Sequence, residues 1–172
     1  MTGSYAKVAV PQQPTEGRRF RDVMGRYATG VVLLTSDTPN GSTGLAVNSF
    51  TSLSLDPPLV VFGVAETSSS WPAIRDAGAF AANILRADHL DLCRTFAKKG
   101  ADRFAGRSWD TSPSGHPLVP DALGWLECTI ETIHPGGDHD LVVARAHRWS
   151  ADSGAPLIFY QGKFADLADT EA

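Results

Sequence analysis

The chain has 172 residues, 42% hydrophobic and 20% charged, which suits one domain with a sizeable core and leaves too little length for two. A formal net charge of −4 argues against general affinity for nucleic acid or an anionic bilayer. No run approaches the roughly 18 apolar residues of a membrane-spanning helix.

Residues 1–16 are polar and proline-containing, without the apolar centre or cleavage site of a secretory signal, and are expected to form a flexible arm. A single domain is expected over 17–168, in a cytoplasmic protein. GRRFRDVMGRYATG (17–30) places Phe20, Val23, Met24 and Tyr27 at helical spacing, with Gly30 as a stop. VVLLTS (31–36) predicts a short strand, and DTPNGS carries an Asn-Gly turn signal. The next stretch, STGLAVNSFTSLSL (42–55), is extended in character. Asn48, Ser49, Thr51 and Ser52 in its middle cannot all share one face of a strand. Asp56-Pro57-Pro58 interrupts it, and LVVFGVA (59–65) predicts a fully buried strand.

Ser70 is a candidate cap for a helix in SWPAIRDAG, with Pro72 tolerated in its first turn. AFAANIL (79–85) predicts another buried strand. Asp88 is the candidate cap of a helix through DHLDLCRTFAKKG, and Gly100 its stop. Residues 101–121 are rich in Gly, Pro, Ser and charge, and predict a long loop of functional character. In GWLECTIETI, Leu126, Cys128, Ile130 and Thr132 alternate with Glu127, Thr129 and Glu131, one set on each face of a strand. HPGGDHD predicts a turn, LVVARAHRW a strand, DSGAP a turn and LIFYQGKF the last strand. Many strands with tight turns and few helices predict a closed or nearly closed antiparallel barrel.

Few chemical motifs stand out. Cys93 and Cys128 lie in apolar surroundings and are expected to be buried free thiols. The histidines have no metal-ligand spacing, C-x-x-C is absent, and no metal is expected. Neither the phosphate-loop nor the dinucleotide glycine fingerprint occurs, and there is no nucleophile elbow. Trp71, Trp125 and Trp149 lack a basic stripe beside them and are expected to be packing residues. The polar cluster at 48–54 is either an exposed edge strand or a set of converging donors for a polar ligand such as phosphate. Lys98, Lys99 and Arg103 in KKGADRF form a basic group suited to the same ligand or to a solvated face. His139, in a turn with two glycines, is by its residue type alone an exposed spectator.

GLAVNSFTSLSLDPPLVVFGV resembles the signature stretch of the flavin reductase-like family. The similarity continues in order through RRFRDVMGRYATGVVLLT, SSSWPAIRDAGAFAANIL, CRTFAKKGADRFAG, HPGGDHDLVVARAHRW and PLIFYQGKF, covering about residues 19–164. The resemblance implies a mainly β protein with a few helices, an antiparallel Greek-key split β-barrel of the FMN-binding type, acting as a homodimer. It implies FMN or FAD as flavin, NADH or NADPH as hydride donor, and a partner monooxygenase that receives reduced flavin. Ala46, Val47, Asn48 and Ser49 would follow the isoalloxazine and ribityl chain, Thr51 and Ser52 the phosphate, and Ala82, Asn83 and Ile84 a further wall. Arg103 and Phe104 match the family's basic-aromatic element, with Lys98 or Lys99 assisting. His139 would stand at the nicotinamide side as the catalytic residue. A non-catalytic flavin carrier on the same fold is the alternative, which GGDHD and YQGKF disfavour.

Overall fold

The computed structural model describes residues 15–98, 100 and 102–165. Nearly all of the expected arm, Lys99, and the last three residues of the expected domain lie outside the described residues. The helices are α1 (Glu16–Met24), α2 (Trp71–Ala77) and α3 (Leu90–Ala97). The strands are β1 (Thr29–Gly30), β2 (Val32–Thr38), β3 (Gly41–Val47), β4 (Thr51–Leu55), β5 (Pro58–Ala65), β6 (Ala79–Ile84), β7 (Asp110–Thr111), β8 (Pro117–Leu118), β9 (Gly124–Pro135), β10 (His139–Ala151), β11 (Ile158–Tyr160) and β12 (Lys163–Ala165).

The Val31–Leu34 run organises two cores. Val32 and Leu34 point into one, with Phe62, Trp71, Ile74, Phe80 and Val142. Val31 and Leu33 point into the other, where Leu92, Cys93 and Phe96 of α3 cover the sheet. A strand buried on both faces needs no polar alternation, and β2 shows none over this run. β6 is likewise buried on both sides, as its sequence suggests. β5 is not: Val60, Phe62 and Val64 enter the first core while Leu59 and Val61 on the other side are only half-buried.

Seven strands form one antiparallel sheet in the order β3-β2-β6-β9-β10-β5-β4. Its two edges, β3 and β4, are consecutive in the chain and separated only by Asn48–Phe50. Six interstrand steps of about 4.8 Å would hold the edges of a flat sheet roughly 29 Å apart. Four Cα steps span at most about 15 Å. The sheet therefore curls until its edges face each other. The backbone ladder does not close between them; instead Ser49 Oγ donates to the Gly63 carbonyl (2.8 Å) and accepts from the Gly63 N–H (3.0 Å). The expected continuous segment at 42–55 is thus two strands on opposite edges, which is why one alternation cannot describe it.

Other expectations need correction. α1 stops at Gly25, and Gly30 instead pairs with Ile158. The apolar residues of α1, Phe20, Val23, Met24 and Tyr27 with them, are exposed. Neither Ser70 nor Asp88 caps a helix through its side chain, and α3 ends at Ala97, before Gly100. The 101–121 segment is no open loop: β7 and β8 pair within it, and Ser112, His116 and Val119 are buried. Glu127, expected on the strand face opposite Cys128, is buried beneath that segment. Trp71 is buried as expected, whereas Trp149 is exposed. Both cysteines are buried and free, and burial pushes the Cys128 thiol up to about 12.

Candidate functional site

Where β3 leaves the sheet at Val47, the chain crosses to β4 and leaves a cleft of about 550 Å³. Ala46 to Ser49 form one wall, the Thr67–Ser70 turn before α2 another, and Phe96 and Ala97 close it from α3. Arg103 enters from the segment after α3. Its Nη1 donates to the Gly44 carbonyl at 3.3 Å and to Ser70 Oγ, while its Nε is buried without a partner. Among the described residues no carboxylate pairs with this guanidinium. A buried, unpaired N–H is costly, and an anionic oxygen in the cleft would satisfy it.

His139, the first residue of β10, also lines the cleft. The Gly136 N–H donates to the His139 carbonyl at 2.7 Å, and Gly137 takes φ +83°, a left-handed turn conformation that suits glycine. His139 Nδ1 lies 2.6 Å from Asp138 Oδ1. That hydrogen bond, followed by the imidazole's charge, holds the Asp138 carboxyl below its ordinary range. The next residue, Asp140, accepts from the buried Trp71 Nε1 at 2.7 Å. This bond ties the histidine hairpin to the start of α2, directly after the Thr67–Ser70 wall.

Residues 24–168 match the family model for the flavin reductase like domain. The chain belongs to the flavin reductase-like family. Among its relatives, HsaB of Rhodococcus jostii, the reductase subunit of a flavin-dependent monooxygenase, is 38% identical over 92% of this chain and 82% of its own. The FMN reductase (NADH) SmoA of Agrobacterium fabrum is 40% identical over 86% of this chain and 84% of its own. An NADH:FAD oxidoreductase of Streptomyces globisporus, solved with NAD and FAD fragments, superposes with a TM-score of 0.87 at 29% identity, covering 95% of this chain and all (100%) of that one.

Of the residues expected in this flavin reductase-like site, Ala46, Val47, Asn48, Ser49, Arg103 and His139 line the cleft together. Others stand apart from it. Thr51 and Ser52 lie exposed on β4, outside the lining. Ala82 and Asn83 have no exposed surface. The Asn83 amide donates to the Leu33 carbonyl and Thr35 Oγ1 and accepts from the Val119 N–H, so its polar groups are spent on the fold. Ile84 packs against the first core. Phe104 meets Phe96 edge to face and Trp109 at a tilt, with centroids 5.3 and 4.7 Å away, and so supports the wall from behind. Lys98 is exposed just beyond Ala97.

Sequence reasoning missed the hydroxyls of Thr67, Ser68 and Ser69, and placed Ser70 only as the N-cap of α2, a position it holds without a side-chain capping bond. The run TSSS before Trp71 was the available signal. Among the described residues no three His, Cys, Asp or Glu side chains cluster as a metal ion would need, and no helix is long and apolar enough to cross a membrane.

Proposed function

We infer that this chain is a flavin reductase that uses NADH to reduce FMN or FAD and delivers the product to a separate monooxygenase. The single observation that carries the reading is the cleft itself. It brings together an unpaired buried guanidinium N–H, serine hydroxyls, His139 and the Ala46–Ser49 wall. These residues suit a long ligand with an anionic tail and a flat, reactive head. Relatives whose names state flavin reduction, NADH dependence and service to monooxygenases support the same reading.

Arg103 and the Ser68–Ser70 hydroxyls would hold the flavin phosphate, a role the fork of a guanidinium fits better than a lysine. Ala46 to Ser49 would flank the ring and ribityl chain. When bound, the flavin supplies a ring that accepts hydride from the nicotinamide. His139, fixed by Asp138, orients the nicotinamide against that ring, so that the protein contributes mainly proximity. The curled sheet bridged at Ser49 supports a split barrel of the FMN-binding, Greek-key type. A homodimer would cover the apolar surface of α1 and β4, and the enzyme would work in the cytoplasm.

The test is anaerobic mixing of protein with NADH or NADPH and each of FMN, FAD and riboflavin, following nicotinamide and flavin absorbance together. Flavin-dependent oxidation of NADH is the expected outcome, with NADPH slower. Binding of flavin without any turnover would leave a carrier protein as the reading.

A further inference from the structure

His139 is exposed, and among the described residues its side chain bonds only to the neighbouring Asp138. Its place in the cleft therefore depends on how the backbone around it is held. β10 pairs His139 with Ala65 of β5, and the Asp138 carbonyl accepts from the Glu66 N–H at 3.1 Å. These bonds secure the hairpin to β5, and Asp140 adds a link to α2. Alternation along β10 turns Asp140 away from His139, toward the face on which Val142 and Ala144 enter the first core. There Asp140 Oδ2 accepts from Trp71 Nε1 at 2.7 Å. No cationic side chain pairs with this half-buried carboxylate among the described residues, so the neutral indole is its partner.

Trp71 is a firm anchor. It is 2% exposed, opens α2 and meets Phe62 edge to face at a centroid distance of 6.1 Å. Ser70, directly before it, accepts from Arg103 in the cleft. A run of contacts thus leads from Arg103 through Ser70, Trp71 and Asp140 to His139. Resting on the flavin reductase reading, we propose that Asp140 is a positioning residue: its bond to Trp71 sets where His139 stands against the Thr67–Ser70 wall. A misplacement of about 1 Å can cost on the order of a hundredfold in rate, so a single bond between the hairpin and α2 is enough to matter. Removing the acceptor also leaves the buried indole N–H unpaired, which favours a shift of α2 or of the hairpin.

Anaerobic stopped-flow reduction of FMN-loaded protein by NADH tests the assignment. Asp140→Val should slow reduction about fivefold or more. Its affinity for FMN should change less than about twofold, because Asp140 faces away from the cleft. Asp140→Asn keeps an oxygen able to accept from the indole, and should reduce flavin within about threefold of the wild-type rate. Trp71→Phe removes the donor while keeping a ring against Phe62, and should behave as Asp140→Val does; it decides the matter if Asp140→Val fails to fold. In a His139→Ala background, loss of the bond should slow reduction less than about twofold further, since the group it positions is gone. Equal slowing with and without His139 would mark a general loosening and overturn the proposal. So would a wild-type rate in the variants that lack the bond, or an Asp140→Asn as slow as Asp140→Val. In each of these cases flavin reduction by the wild type persists. Its absence would overturn the functional reading instead.

Discussion

Glu127 is only 3% exposed and still carries its charge. Burial by itself raises a carboxyl, but here hydrogen bonds from Ser112, the Ser114 backbone N–H and Arg148 outweigh it and bring the group from 4.5 down to about 2. A folded value below the unfolded one stabilises the fold above about pH 4.5, and this contribution is lost as pH falls through about 2. The shift corresponds to about 3 kcal/mol at neutral pH. Glu127→Gln should therefore lower stability by about 1–3 kcal/mol at pH 7. The gap between variant and wild type should shrink by pH 3, as read from urea midpoints; an equal gap at both values would sink the assignment. His139 is the other residue whose role can be isolated. His139→Ala should leave flavin affinity nearly unchanged and slow anaerobic flavin reduction about tenfold to a thousandfold. Stopped-flow absorbance separates that step from product release, and an unaltered rate would make His139 an exposed turn residue without a catalytic part.

At the scale of elements, the seat of α3 on β3 sets the depth of the cleft. A Cβ at Gly44 would lie 2.6 Å from the Leu34 carbonyl oxygen and 2.8 Å from Phe96 Cε1. The first of these is backbone and has no freedom to retreat. Gly44→Ala should cost about 1–3 kcal/mol by overpacking and, by displacing Phe96 and the carbonyl that accepts from Arg103, weaken FMN as well. Gly30→Ala is the control, because nothing lies within 4 Å of a Cβ there. Denaturation midpoints and FMN titration of both variants decide the matter. Loss of neither stability nor FMN affinity in Gly44→Ala would show that α3 can shift freely.

For the whole molecule, the notable surface is apolar. Phe20, Val23, Met24 and Tyr27 on or beside α1, and Leu53 and Leu55 on edge strand β4, are all exposed. Exposed apolar side chains on a helix and on an edge strand suit an isologous contact with a second copy. Sedimentation at micromolar concentration should show a species of about twice 18.3 kDa. Leu55→Asp should shift the population toward the single chain, since a charge at a dry contact is poorly tolerated. A wild-type protein sedimenting only as 18.3 kDa would overturn the dimer.

The sequence by itself determined most of the element types, the burial of β6 on both faces, the free buried cysteines, and a family resemblance that spans most of the chain, although LIFYQGKF, read as one strand, is β11 and β12. Such features are legible because alternation, turn residues and motif order are local properties of a chain. Tertiary structure alone decided that residues 42–55 divide between opposite sheet edges, since curling depends on how all seven strands pair. It also decided which polar groups serve the fold and which face the cleft. Asn83 and Glu127 are consumed by Val119 and Ser114, partners 36 and 13 residues away, whereas Arg103 meets Ser70 across 33 residues and keeps one N–H unpaired. No local pattern distinguishes these cases, because the burial and bonding of a polar side chain are set by whichever distant segment packs over it.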